Sequence, residues 1–292
     1  MAAVAERPPA VATNATRLVR TRLVAPIAQA SLNVVTVPDG RSTALAGQGG
    51  LVSGVGLGDR AGGWASDHLE PGASLHHPDP AADQALQVLA CVGNTATVLD
   101  GPAAGARGIV YGKHGAVLVA FAPEATDRLA PGERVAIDAV GLGLAIADEP
   151  DVAVHSCDPA LLDRLLLGRD GAGRLQVVVR TALPAEAAGA GIGMSALRFD
   201  IDLMVDEPPV AALAGDLRFG DVIALAGQDH RFLRTPRPGW VAVGVVCHGR
   251  SIGGGHGLGM VTLLSGPQDR ISIVERPDAR LDRLLPLPWV QA

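Results

Sequence analysis

Apolar residues in this chain come in short runs rich in Val, Ile and Leu, and each run is stopped by Gly, Pro or Asp. "LNVVTV" (32–37), "TATVL" (95–99), "GIVYG" (108–112) and "AVLVAF" (116–121) are the first of them. "RVAIDAV", "LQVVVRT", "DVIALAG", "WVAVGVV" and "GMVTLLS" follow. Short β-branched runs between turn residues predict strands of sheets or barrels. Three stretches have helical spacing instead. Residues 79–93 and 157–168 each contain an Asp-Pro pair, an N-cap followed by a proline at the first helical position. Residues 207–215 predict a third short helix.

Two pairs of segments are alike. "LAPGERVAIDAVG" (129–141) and "LRFGDVIALAG" (217–227) share Leu, two residues, Gly and an acid before a strand. "KHGAVLVAF" and "GHGLGMVTLL" both set His-Gly at the tight start of a strand. The pattern predicts a β-rich α+β fold made of two barrel-like β subdomains with a few short helices. Residues 1–16, rich in Ala and Pro without an apolar period, read as a flexible tail. Residues 17–141 form the first subdomain and 142–292 the second.

Composition narrows the classes. At 48% hydrophobic and 18% charged, the chain can bury a large core, and with 3% aromatics that core is aliphatic. A net charge of −6 argues against a nucleic-acid partner. The apolar runs fall well short of the ~20 residues needed to span a bilayer, and no secretory signal pattern opens the chain. Three widely spaced cysteines without CxxC pairing fit reduced thiols, so a cytoplasmic location is expected. The apolar composition further suggests a homo-oligomer.

The usual signatures of catalysis fail. No phosphate loop, HExxH, GxSxG or CxxC is present, and "GIGMSA" runs into a strand-like segment, which is the wrong context for a dinucleotide turn. What remains is a set of polar residues in turns. Asp67, His68 and Glu70 fall within "DHLEPG". Lys113 is the single lysine beside 23 arginines, next to His114. A lysine amine does chemistry that arginine does not, and its pKa falls readily on burial. "GQDHRFLRTPRPG" places Asp229 and His230 beside Arg231, Arg234 and Arg237, a loop suited to an anionic substrate. "CHGRSIGGGHGLG" sets His248 and His256 around a glycine-rich turn whose amides could face an oxyanion. Asp200 and Asp202 alternate along one strand face. His76, His77 and His155 read as surface residues.

In this order, "DHLEPG", "CVGN", "GKHG", "QDH" and "GHGLG" resemble an uncharacterised bacterial family, domain of unknown function 4438, from about Arg22 to about Glu275. The resemblance implies a β-rich protein and no particular activity. It adds Cys91, Asn94, Gly255 and Gly257 to the polar set.

These residues lead to a small-molecule enzyme, a hydrolase of a C–N or ester bond or a lyase, working in a cleft between the subdomains. Lys113, His114, Asp67, His68 and His256 form the expected catalytic cluster. Glu70, Cys91, Asn94, Asp229, His230, Arg234, His248, Gly255 and Gly257 contact a substrate that could be anionic. The expected site is metal-free, because the Lys113 ammonium would repel a cation. The alternative is a divalent ion such as zinc on His68, Glu70 and His256. A non-catalytic binding protein for an anionic metabolite is the other reading.

Overall fold

The computed structural model describes residues 11–30, 32, 35–36, 39–206 and 208–289. It is strand-rich, with short helices, as the sequence pattern predicts. Residues 1–10 of the expected tail lie outside the described residues. Residues 11–16 are tied down: Thr13 bridges Ile146, and the Asn14 side chain bonds both Gly143 O and Ala145 N at 2.9 Å. Of the run at 32–37, Val35–Thr36 is paired with Ser42–Thr43, and positions 33, 34 and 37 are not among the described residues.

The first sheet has seven strands, all antiparallel. Their order is Thr21–Pro26, Arg134–Ala139, Thr95–Val98, Arg107–Lys113, Val117–Ala120, Gly72–Leu75 and Leu51–Val52. It curls until Ile27, just past the first strand, bridges Leu75, and Ala28 N donates to Ser74 O at 2.8 Å. Those contacts give the sheet its barrel-like shape. Its interior is aliphatic: Ala25, Val98, Val110, Val117, Val119, Val135 and Ile137 are buried there together. Helix Pro80–Leu89 lies after the Gly72–Leu75 strand, with Asp79 as N-cap accepting from Ala82 N at 2.8 Å.

The second sheet holds Ala153–Val154, Gly259–Pro267, Thr235–His248, Val222–Asp229 and Thr181–Leu183, with Ile201–Asp202 paired to the Gly259–Pro267 strand. A third sheet joins Leu166–Arg169, Leu175–Val179 and Ile271–Glu275. The predicted helix at 157–168 is Pro159–Leu165, capped by Asp158, and its Leu166–Gly168 end is already strand. That at 207–215 is Val210–Ala214. The strand-like "LRFDIDLM" is mostly irregular, with Ile201–Asp202 in a ladder and Leu203 in an isolated bridge to Ala188.

Strand Arg107–Lys113 joins the two halves. Alternate side chains on a strand face opposite ways. Val110 enters the first core, whereas Ile109 and Tyr111 enter the larger core shared with the C-terminal sheets. At Gly112 the approach is so close that a Cβ would lie 2.3 Å from Cys247 Cβ. Only glycine lets these two strands meet there.

Candidate functional site

The end of this seam is where the polar turns gather. His114 leaves the Arg107–Lys113 strand at its C-terminal end, and His248 ends the Thr235–His248 strand. The loop before Gly259 carries His256, and the loop before Gly72 brings His68 and Glu70. Four imidazoles result. Ring centroids of His114 and His248 are 4.2 Å apart, those of His68 and His256 4.9 Å, and those of His68 and His114 5.0 Å.

Each ring has its Nδ1 facing an oxygen. His114 Nδ1 lies 2.6 Å from Glu70 Oε1, and His68 Nδ1 3.0 Å from Asp67 Oδ2. His248 Nδ1 is 2.7 Å from Gly249 O, and His256 Nδ1 is 3.1 Å from Gly257 O. Oxygen acceptors at Nδ1 fix a proton there and turn Nε2 toward the centre. His248 Nε2 lies 2.7 Å from Asp200 Oδ2, and His68 Nε2 lies 3.1 Å from His256 Nε2. Asp202 Oδ1 is 3.3 Å from His248 Nε2 and 3.2 Å from His256 Nδ1. These are ion-pair distances off hydrogen-bond geometry, so that oxygen is buried without a donor.

The local backbone is built for this arrangement. Asp67 Oδ1 accepts from the amides of Ile252 at 2.5 Å and Gly253 at 3.1 Å, which clamps the glycine-rich loop to the His68 turn. His68 itself sits in the left-handed region, φ 48°, uncommon for a residue with a side chain. Gly259 has no room for a side chain: a Cβ would fall 2.0 Å from His248 Nε2 and 2.5 Å from Asp200 Oδ2.

Electrostatics follow from burial and proximity. Burial opposes the charge on Asp200, yet the adjoining His248 pulls its pKa down to about 2. Burial likewise disfavours a charged His248, but Asp200 outweighs it and raises the ring well above the ordinary histidine value. His68 is lowered, first by burial and then by His248 and His114. Asp67 is lowered by Gly253 N and by His68, against the opposing effect of burial.

One ligand atom each from His114, Asp200 and His248 lies within 4.8 Å of the other two. Those are groups that divalent transition metals accept. Glu70 and the Gly249 carbonyl stand behind the two rings as outer-shell partners. Glu70 is thereby placed behind a ligand instead of on the ion, with Oε2 held by Ser74 Oγ at 2.7 Å and Gly49 N at 2.8 Å. Asp200 and His248 enter where the sequence suggested His68, Glu70 and His256. The "RFDID" alternation carried that signal.

The other predicted residues have different surroundings. Lys113 is fully buried, and Nζ donates to Ser156 Oγ and Leu197 O, both at 2.8 Å. Neither bond goes to one of the four imidazoles, and burial lowers its pKa to about 8. Asn94 is a buried staple: Oδ1 accepts from Cys91 N at 2.8 Å, and Nδ2 donates to Val140 O and Asp158 Oδ2. Burial pushes the Cys91 thiol up to about 11. Asp229 is held by Arg231 and Arg237. The loop amides expected to face an oxyanion are engaged elsewhere: Gly254 N donates to Ser251 Oγ at 2.6 Å and Gly257 N to Leu203 O at 2.8 Å. Gly255 turns the loop at φ 69°. His155, read as a surface residue, is 5% exposed because it precedes Ser156 beneath the Gly259–Pro267 strand, its N–H bonded to Leu263 O.

Strand-rich fold and seam cluster together define a β protein with a His–carboxylate centre between two sheets. The chain belongs to the family of domain of unknown function 4438. "Domain of unknown function (DUF4438), N-terminal" matches residues 35–163, and the C-terminal model of the same family matches residues 164–285. The solved structure "Crystal structure of TM1086" matches with a TM-score of 0.87 at 35% identity, over 95% of this chain and 100% of that one. No curated protein matches the chain. Among the described residues, no helix is long and apolar enough to cross a membrane.

Proposed function

We propose that this protein is a metal-dependent small-molecule enzyme, a hydrolase of a C–N or ester bond or a lyase, with a divalent transition-metal ion held by His114, His248 and Asp200. One observation carries the reading. Ligand atoms of these three residues converge within 4.8 Å, and both ring Nδ1 atoms already face oxygen acceptors. The ion would supply a Lewis acid for a carbonyl or a comparable electron-poor group. His68 and His256 stand at the rim. Their Nε2 atoms are 3.1 Å apart, a contact two lone pairs do not make without a shared proton. Asp67 orients the His68 ring, so that pair is suited to general acid–base transfer.

A metal-free site was the sequence expectation because an ammonium would repel the ion. Lys113 bonds Ser156 and Leu197 and none of the three ligands, and the Asp200 carboxylate among those ligands offsets a nearby cation. Elemental analysis of untagged protein purified without chelator tests the proposal. One equivalent of a transition metal is expected, lost in His114→Ala and His248→Ala and retained in His68→Gln. Folded wild-type protein that takes up no metal when offered zinc, manganese, iron, cobalt or nickel would overturn it.

A further inference from the structure

A second polar cluster lies beside the first and takes no part in holding the ion. It comprises Lys113, His155, His230 and Arg234, exposed by 0, 5, 0 and 1%. Main-chain carbonyls of the 197–199 segment reach it: Leu197 O accepts from Lys113, and Phe199 O accepts from Arg234 Nη2. Arg234 is the strongest charge acting on both His155 and His230, and Lys113 also acts on His155. Contacts agree: Lys113 bonds Ser156, the neighbour of His155, while His155 N bonds Leu263 O and His230 meets Thr262 and Ser265 on that same strand, so the side chains share one neighbourhood.

The cluster has too few acceptors. Arg234 Nε and Nη1, His230 Nε2 and His155 Nε2 are buried with no hydrogen-bond partner. Neither Lys113 nor Arg234 forms a carboxylate ion pair among the described residues. Asp229, whose charge reaches both histidines, is already bonded by Arg231 and Arg237, and these two arginines lie over the Trp240 ring at 4.0 and 4.5 Å. His230 Nδ1 has Thr262 Oγ1 at 2.9 Å, so the unused atom is its Nε2. A buried polar group left without a partner is costly, and a charged one more so. Four such atoms in one neighbourhood match the requirements of an oxyanion, which accepts from several donors and pairs with a guanidinium.

We propose that Arg234, His230 and His155 form a buried subsite for an oxyanion group, a carboxylate or a phosphate. Its place beside the metal centre makes it the anchor for the anionic end of the substrate; that last step rests on the proposed function, while the subsite itself does not. Phe199, whose carbonyl holds Arg234, precedes Asp200, whose carboxylate faces His248. Adjacent Cα atoms are about 3.8 Å apart. The Asp200 charge also acts on Arg234, which sets the subsite next to the proposed metal ligands.

Thermal melting with inorganic phosphate, acetate or chloride at matched ionic strength tests this, alongside metal content of the same samples. A saturable rise in Tm with phosphate or with acetate, and none with chloride, is expected; which of the two acts identifies the group. Arg234→Leu should weaken that binding by about tenfold to a hundredfold while metal content stays unchanged. His230→Asn and His155→Asn should each weaken it less, and they carry the test if Arg234→Leu does not fold. Wild-type protein indifferent to both anions, or variants that bind them as tightly as wild type, would overturn the subsite. Anion binding in wild-type protein that takes up none of the offered metals would instead refute the metal centre and leave the subsite standing.

Discussion

Glu70→Gln keeps the size and shape of the side chain and changes one thing, the number of oxygens that can accept. Glu70 is 1% exposed and serves three donors. Oε2 accepts from Ser74 Oγ at 2.7 Å and Gly49 N at 2.8 Å, and Oε1 accepts from His114 Nδ1 at 2.6 Å. A glutamine has one carbonyl oxygen. Two donors converge on the Oε2 position, so the oxygen settles there and the NH2 turns toward His114. Nδ1 must then accept, and the imidazole proton moves to Nε2, the atom that should face the ion.

Loss of an outer-shell carboxylate behind a ligating histidine lowers metal affinity by roughly 10- to 100-fold, or about 1.4–2.7 kcal/mol. Competition against a chelator of known affinity reads that change, and histidine 15N shifts read the tautomer. Ser74→Ala is the control: it removes a donor to Oε2 and leaves the His114 contact in place, so its metal affinity should stay near wild type. Glu70→Gln protein with wild-type affinity and a proton still on His114 Nδ1 would refute the reasoning.

Two further outcomes are expected. Lys113→Arg should destabilise the fold by about 1–3 kcal/mol, because two additional heavy atoms enter a fully buried position whose nitrogen already has its acceptors; a urea midpoint equal to wild type would contradict this. Acid should weaken the protein through His155 and His230, whose pKa values burial lowers, with help from Arg234, to about 4 and about 3. Both rings are neutral in the fold and charge in the unfolded chain below about pH 6.5, so their contribution is complete above that pH and is lost as pH falls toward 4. For His155 the loss amounts to roughly 3 kcal/mol, and His155→Asn should flatten the acid limb of urea midpoints measured in phosphate-free buffer; an unchanged limb would contradict the assignment.

The β character of the chain was legible because strand signals here are local. Val-rich runs ended by Gly or Pro mark Thr95–Val98, Arg107–Lys113 and Gly259–Pro267 to within a residue or two. The Asp-Pro pairs likewise mark the starts of Pro80–Leu89 and Pro159–Leu165, since capping needs only neighbours. Thr21–Pro26 and Gly72–Leu75 carry weaker runs, and long-range pairing with Arg134–Ala139 and Val117–Ala120 decides them. For the site, the turn motifs named His68, His114 and His256 because histidines beside glycines stand out in an aliphatic chain. Their partners were harder to read. Asp200 is brought to His248 by a ladder between Ile201 and Met260, and no spacing in the sequence expresses that pairing. His155 was read as exposed for a similar reason: the strand that covers it comes more than a hundred residues later.

The single lysine shows how a rare residue and a working residue can differ. Lys113 ends its strand past a bulge between Val110 and Gly112 and is fully buried, and its ammonium finds one hydroxyl and one carbonyl. Those two acceptors satisfy most of a three-donor ammonium, whereas a guanidinium with five N–H groups would leave several open. Compactness accounts for lysine at this position without any chemistry. Arg234 presents the opposite case in the same neighbourhood. Its sequence context is ordinary, among 23 arginines, yet its guanidinium has one carbonyl partner and two nitrogens with none. A buried cation with its acceptors in place is structural; one held short of acceptors is prepared for a ligand. By that criterion the charge to associate with substrate is Arg234, and Lys113 helps to fix the wall against which it is held.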